Sequence, residues 1–244
     1  MKKNYFYLFV IVLLSMFSIA LVSCGDDDDD EKDDGIDTTP ITLIAGKDKV
    51  ITGADTISTS NRFVAYGTKN TVYAWHVGEA TLLVNGKKSI TITVNPLYYL
   101  YDDPICMWGC TIDYVKQNQK QGKINSKSTS DYLIYDNAGG ATILAYIFEN
   151  GKLSSVMTFV STNHTSTLAD YLAERYLLLP MYEGDKTNFF GMDALDTDDA
   201  KTSVLMELAD TKTWTVYYTN AQKTTRSNMS NSKIKEDLKA LLVQ

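Results

Sequence analysis

The sequence predicts a mainly β protein with an α+β part: a small β-sandwich followed by a duplicated unit of one helix and a three-stranded antiparallel sheet. Between Ile41 and Val94, short apolar runs of period two are punctuated by glycines. From Thr111 to Asn220 the pattern becomes helix then three strands, twice over. Sixteen tyrosines against four prolines also suit a β-rich exported chain.

The chain opens with Met1-Lys2-Lys3 and an apolar run from Tyr5 to Val22, the charged-then-apolar layout of an export signal. The run is too short and too close to the terminus to favour a permanent membrane span. Leu21-Val22-Ser23-Cys24 follows, and it resembles the lipobox of bacterial lipoproteins. The resemblance implies that residues 1 to 23 are a signal peptide, that cleavage falls before Cys24, and that its sulfur carries diacylglycerol. An ordinary secretory signal with an incidental cysteine is the alternative.

Residues 24 to 36 read as an acidic tether. Asp26 to Asp34 holds eight acids against Lys32, and a block of like charge repels itself and buries too little to fold. It is either a plain solvated spacer or a sorting signal. Acidic runs just after the lipidated cysteine resemble the surface-export signals of lipoproteins in one large group of gut Gram-negative bacteria, which implies an outer-membrane protein facing outward. Loss of Lys2 and Lys3 takes the formal charge from −7 to −9, of which the tether holds seven, so the remainder is nearly neutral. The acidity describes a tail; with no basic patch to offset it, nucleic acid is not an expected partner.

Residues 37 to 96 contain runs such as Phe63-Val64-Ala65-Tyr66, Val72-Tyr73-Ala74-Trp75 and Thr81-Leu82-Leu83-Val84, separated by Gly46, Gly53, Gly67 and Gly78. Five to seven short strands in about 55 residues favour a sandwich over a barrel. Asn85-Gly86 predicts a two-residue hairpin, because both turn positions want positive φ. The order Ser60-Asn61, Val64-Ala65, Val72-Tyr73-Ala74, Val77 to Leu82 and Ile92 to Pro96 resembles the bacterial immunoglobulin-like group 2 domain. That family implies an immunoglobulin-like sandwich serving as a spacer or adhesive module, with no chemistry.

Residues 97 to 104, with Tyr98, Tyr99 and Tyr101, read as a linker or interdomain packing surface; a sugar-stacking stripe is the alternative. In residues 105 to 222, Thr111 caps a helix expected to run to about Gln121, where Gly122 stops it. Strands follow at Tyr132 to Tyr135, Ala141 to Phe148 and Leu153 to Val160. A second helix is expected from a Thr167 cap to Leu179, ended by Pro180, with strands near Asn188 to Met192, Thr202 to Leu208 and Thr213 to Thr219. One such unit would leave its apolar sheet face bare, so two are expected to cover each other. Trp108-Gly109-Cys110-Thr111 with Val115, then a meander with Asn150-Gly151-Lys152-Leu153, resembles the fold of β-lactamase-inhibitor proteins and of the small lipoprotein subunit of the outer-membrane assembly machine. That resemblance implies protein binding. Residues 223 to 244 read as a polar linker and a short closing helix, with Ile234, Leu238, Leu241 and Leu242 at helical spacing.

Motifs of catalysis are not found. His76 and His164 fall in different domains with no adjacent nucleophile. Cys106 and Cys110 have the wrong spacing for a redox pair and too few companions for zinc. They read as buried thiols acting as small hydrophobes or as a local disulfide. Asp193, Asp196, Asp198 and Asp199 lack the glycine and late glutamate of a calcium loop and read as a solvated hairpin tip. Asp37-Thr38-Thr39 and Asp55-Thr56-Ile57 resemble the acceptor triplet for protein O-glycosylation in the same gut group, which implies sugar on Thr38 and Thr56. No metal and no cofactor are expected. Together these readings describe a lipid-anchored outer-membrane protein, not an enzyme, that binds a protein or glycan at the cell surface. A hydrolase or its accessory, acting on polysaccharide or peptide, and a structural subunit of an envelope complex are the alternatives.

Overall fold

The structure, a computed structural model, describes residues 35–183 and 186–222. The lipobox with Cys24, the acidic run and the closing helix expected over 233–243 lie outside the described residues. Among the described residues the protein is mainly β, with fifteen strands and two helices. No helix among them is long and apolar enough to cross a membrane.

The first seven strands form two sheets. β1 (Ile41–Ile44) runs parallel to β7 (Lys88–Asn95), which pairs with β6 (Gly78–Val84), and β6 with β3 (Ile57–Thr59). β2 (Asp48–Val50), β5 (Thr71–Ala74) and β4 (Ala65–Thr68) make the second sheet. Alternation sends Leu82 and Val84 of β6 and Ile90 and Ile92 of β7 inward, against Val64 and Val72. Ile36, expected to end the tether, is only 6 % exposed and belongs to this core. An apolar side chain next to a folded sheet gains more from burial than from solvation, so the folded part begins earlier than the charge run suggests.

Asn85 (φ 51°) and Gly86 (φ 71°) make the expected turn. The register closes with Val84 opposite Lys88, so the loop has three residues. The Asn85 side chain also bonds outside the hairpin. Its Oδ1 accepts hydrogen bonds from Asp55 N (2.8 Å) and Thr56 N (3.1 Å), and its Nδ2 donates to Gly53 O (3.0 Å). The same residue that bends the hairpin thus holds the neighbouring loop.

The remaining strands form one antiparallel sheet. α1 (Ile112–Asn118) precedes β8 (Lys123–Ile124), β9 (Tyr132–Ala138), β10 (Ala141–Glu149) and β11 (Lys152–Ser161). A 3₁₀ turn (Thr162–His164) and α2 (Thr165–Ala173) precede β12 (Leu177–Glu183), β13 (Lys186–Met192), β14 (Thr202–Asp210) and β15 (Thr213–Asn220). The order across the sheet is β12-β13-β14-β15-β11-β10-β9-β8.

Two expectations fail here. Leu177-Leu178-Leu179 was equally apolar as helix or strand, and the sheet took it: α2 stops at Ala173 and β12 adds a fourth strand to that half. Pro180 does not break β12 because the strand lies at the sheet edge, where a missing N–H costs little. The halves do not cover each other's faces either. They join edge to edge through β11 and β15, and both helices lie on one side. There Val115, Leu168 and Leu172 pack against Leu144, Tyr146, Val156 and Tyr218.

Candidate functional site

A short charged pair joins the sandwich to the sheet. Glu174 and Arg175 follow α2 directly, and both side chains are nearly buried, at 10 % and 8 % exposure. The Glu174 carboxylate accepts from Leu97 N (3.1 Å) and Tyr98 N (3.0 Å), while its backbone carbonyl accepts from Val77 N (2.8 Å) at the sandwich edge. Arg175 lies over the Tyr171 ring at 3.9 Å, donates to Tyr171 O (3.0 Å), and pairs with the Asp103 carboxylate, which also accepts from the Tyr171 hydroxyl. Leu177 packs against the sandwich core. Helix end and linker are therefore tied by charge-assisted bonds, which are stronger than neutral ones, and helix end and sandwich by a backbone bond.

The tyrosines of residues 97–104 divide accordingly. Tyr101 is buried, its hydroxyl 2.7 Å from that of Tyr218, and burial pushes its pKa up to about 12. Tyr99 stays 73 % exposed. The linker lies on Gly139 and Gly140: Gly140 N donates to Leu100 O (2.6 Å), and a Cβ on Gly139 would come within 3.0 Å of Tyr101 Cα. These glycines complete a turn, as expected, and also make room for another stretch of backbone.

Beside this joint, an open cleft of about 670 Å³ is walled by residues 59–63 of the sandwich and by Asp193, Leu195, Asp199 and Lys201 of the sheet. Its lining offers hydroxyls from Thr59 and Ser60, an amide from Asn61, and charges of both signs from Arg62, Lys201 and the two aspartates. Such a set donates and accepts hydrogen bonds at once, which is what a polyhydroxylated or zwitterionic ligand requires. Asp193 is partly committed: its Oδ1 accepts from Lys201 N (2.8 Å) and Thr202 N (3.0 Å) and fixes the loop. The acidic loop is thus one wall of a cleft as well as a hairpin tip. Among the described residues no group of three or more histidine, cysteine or acidic side chains could hold a metal ion.

The other predicted residues lie apart. Cys106 and Cys110 are partly buried and are free thiols in the structure. Trp108 between them bonds Lys201 O through Nε1 (3.0 Å), while Gly109 N donates to Leu153 O (2.9 Å) and Leu153 N to Cys110 O (2.9 Å); this bonding fixes the turn that carries both thiols. Burial pushes both thiols up. Thr38 and Thr56 are exposed. The Thr56 backbone is held by Asn85, so its hydroxyl stands on a fixed base.

His164 is exposed. His76 is 2 % exposed and lies flat on Phe63, with ring centroids 3.9 Å apart and Nδ1 2.7 Å from Phe63 O. Burial holds its pKa below the usual 6.5. The unfolded chain then binds a proton that the native state resists. Stability from this residue is complete above about pH 6.5 and falls as pH drops from there through the lower native pKa. Between about pH 7 and pH 5, the urea midpoint is expected to fall more steeply in the parent than in His76→Phe, which keeps the stack. Equal slopes would refute this.

Sequence reasoning missed Glu174, Arg175 and the cleft residues 59–63. The only signal was an adjacent acid-base pair inside the apolar run Leu172 to Leu179, and nothing local identifies its partners 70 to 80 residues away. Comparison with family models, curated proteins and solved structures returned no match to this chain.

Proposed function

We propose that the protein is a lipoprotein anchored through Cys24 in the outer membrane, facing outward, whose folded part is a non-catalytic binding or adhesion module for a protein or glycan. The observation that carries this reading is the cleft between residues 59–63 and 193–201, with its mixture of hydrogen-bonding and charged groups. Anchoring rests on the lipobox: two acyl chains at about 0.8 kcal/mol per buried methylene suffice for stable attachment, where one would be marginal.

In this reading the sandwich is an immunoglobulin-like spacer of the group 2 kind. The order of the eight-stranded sheet supports a duplication, because exchanging β8–β11 with β12–β15 reproduces the same arrangement. Each unit then has four strands where the sequence suggested three. The layout also favours the resemblance to β-lactamase-inhibitor proteins, and with it a protein ligand. Thr38 and Thr56 are exposed enough to carry sugar.

The test is a glycan-array screen and an outer-membrane pull-down with the acylated chain, repeated with Arg62→Ala/Lys201→Ala. Loss of two polar contacts at one site is expected to weaken capture by about tenfold or more. Capture unaffected by the double variant would remove the cleft from the binding surface. Palmitate labelling that left Cys24 unmarked would remove the anchor.

A further inference from the structure

The outer face of the three-stranded sheet carries a row of aromatic side chains. Ala65 of β4 and Val72 and Ala74 of β5 point into the sandwich core, so alternation turns Tyr66, Tyr73 and, just past β5, Trp75 outward. Register places Tyr66 directly opposite Tyr73, and Asp48 of β2 opposite Tyr73 on its other side. Tyr66 is stacked on Tyr73 with ring centroids 5.1 Å apart and meets Trp75 edge-on at 6.0 Å. Tyr73 and Trp75 nevertheless remain 36 % and 42 % exposed. Each ring is held by the next, so little side-chain freedom is lost when a ligand settles on them.

The row leads to the cleft. The Trp75 ring lies 4.7 Å from that of His76, which is stacked on Phe63, and Phe63 and Arg62 line the cleft. Trp75 N also donates to Val64 O (2.8 Å), which sets Trp75 beside the segment that continues the cleft wall.

We propose, on the reading of the cleft given above, that its ligand is a glycan chain that continues onto this face, with pyranose rings resting on Tyr73 and Trp75. Of the two ligand classes named there, this face selects the glycan. Sugar rings present C–H faces that stack on the electron-rich faces of aromatic rings, and hydroxyls that need acceptors. The row supplies both, with the Asp48 carboxylate beside Tyr73 and the paired hydroxyls of Thr68 and Thr71 on the same face. A protein partner fits this face less well, because the core of a protein interface is depleted of aspartate. A bilayer is opposed by the same carboxylate, which lipid cannot solvate.

The test screens the acylated chain against an array of neutral and acidic oligosaccharides, from disaccharides to decasaccharides. Tyr73→Ala/Trp75→Ala is expected to weaken capture of the long oligosaccharides about tenfold or more, with disaccharides, which the cleft holds alone, captured equally. In the unmutated chain labelled with 5-fluorotryptophan, a captured long oligosaccharide is expected to shift the Trp75 fluorine signal, assigned through Trp75→Phe, and to leave that of Trp214 unmoved. Long-chain capture that survives Tyr73→Ala/Trp75→Ala but not Arg62→Ala/Lys201→Ala would overturn the inference and leave the cleft reading intact. Capture that survives Arg62→Ala/Lys201→Ala would overturn both. The absence of any captured oligosaccharide, or an unmoved Trp75 signal, would also overturn the inference. Should the alanine variant fail to fold, the fluorine signal of the unmutated chain decides.

Discussion

Glu174→Ala is expected to lower the unfolding free energy by about 2 to 4 kcal/mol, measured by urea unfolding at neutral pH. Removing the carboxylate breaks charge-assisted bonds from the N–H groups of Leu97 and Tyr98, each worth about 1.5 to 3 kcal/mol, and rehydration of these part-buried donors limits the loss. Arg175→Ala is expected to cost a similar amount, because the guanidinium is almost fully buried, covers the Tyr171 ring, and bonds Asp103 and a backbone carbonyl at once. Asp103 is half exposed and rehydrates, which limits the loss. Arg175→Lys does not restore stability, since an ammonium cannot reproduce the planar fork. Glu174 and Arg175 serve one joint, so the double variant should cost less than the two singles together. A loss below about 0.5 kcal/mol in both singles would mean that the joint is held by the Leu177 packing alone.

Gly67→Ala is expected to destabilise the sandwich by about 2 to 3 kcal/mol, the range of an overpacked core. A Cβ at residue 67 would sit 2.5 Å from Ile57 Cβ and 2.6 Å from Ile57 O. Ile57 belongs to β3 and Gly67 to β4, the edge strands at which the two sheets close on each other, and a backbone oxygen cannot rotate away. Gly46→Ala provides the contrast. Nothing lies within 4 Å of its Cβ position, and only the positive φ of 79° opposes the change, at a cost of about 1 kcal/mol. Equal losses in the two variants would show that backbone conformation, and not the approach of the sheets, requires glycine at 67.

Much of the local structure was legible in the sequence because its causes are local. The β6–β7 turn follows from Asn85-Gly86 and the two-residue turn between β10 and β11 from Asn150-Gly151, whose four residues all have positive φ. Inward residues of β6 and β7 follow from alternation, and the buried stripe of α2 from Leu168, Tyr171 and Leu172 at helical spacing. The start of α1 at Thr111 needed only a hydroxyl within reach of Tyr114 N. At Leu177-Leu178-Leu179 the sequence reads as the end of the second helix, and pairing beside β13 makes it strand instead.

The candidate site belongs to the second kind. Residues 59–63 and 193–201 are at least 130 positions apart, and neither loop alone differs from an ordinary polar turn. Hydrophobic period, turn chemistry and capping act over a few residues, so the chain alone determined most of its strands and turns and the central residues of both helices, but not β8 or β12. Which edge met which, that the halves share one sheet with both helices on one side, and that Glu174 and Arg175 reach back to residues 97–103 were decided only in the tertiary structure. There, burial of apolar faces outweighs local preference, and buried charges must find partners wherever packing brings them.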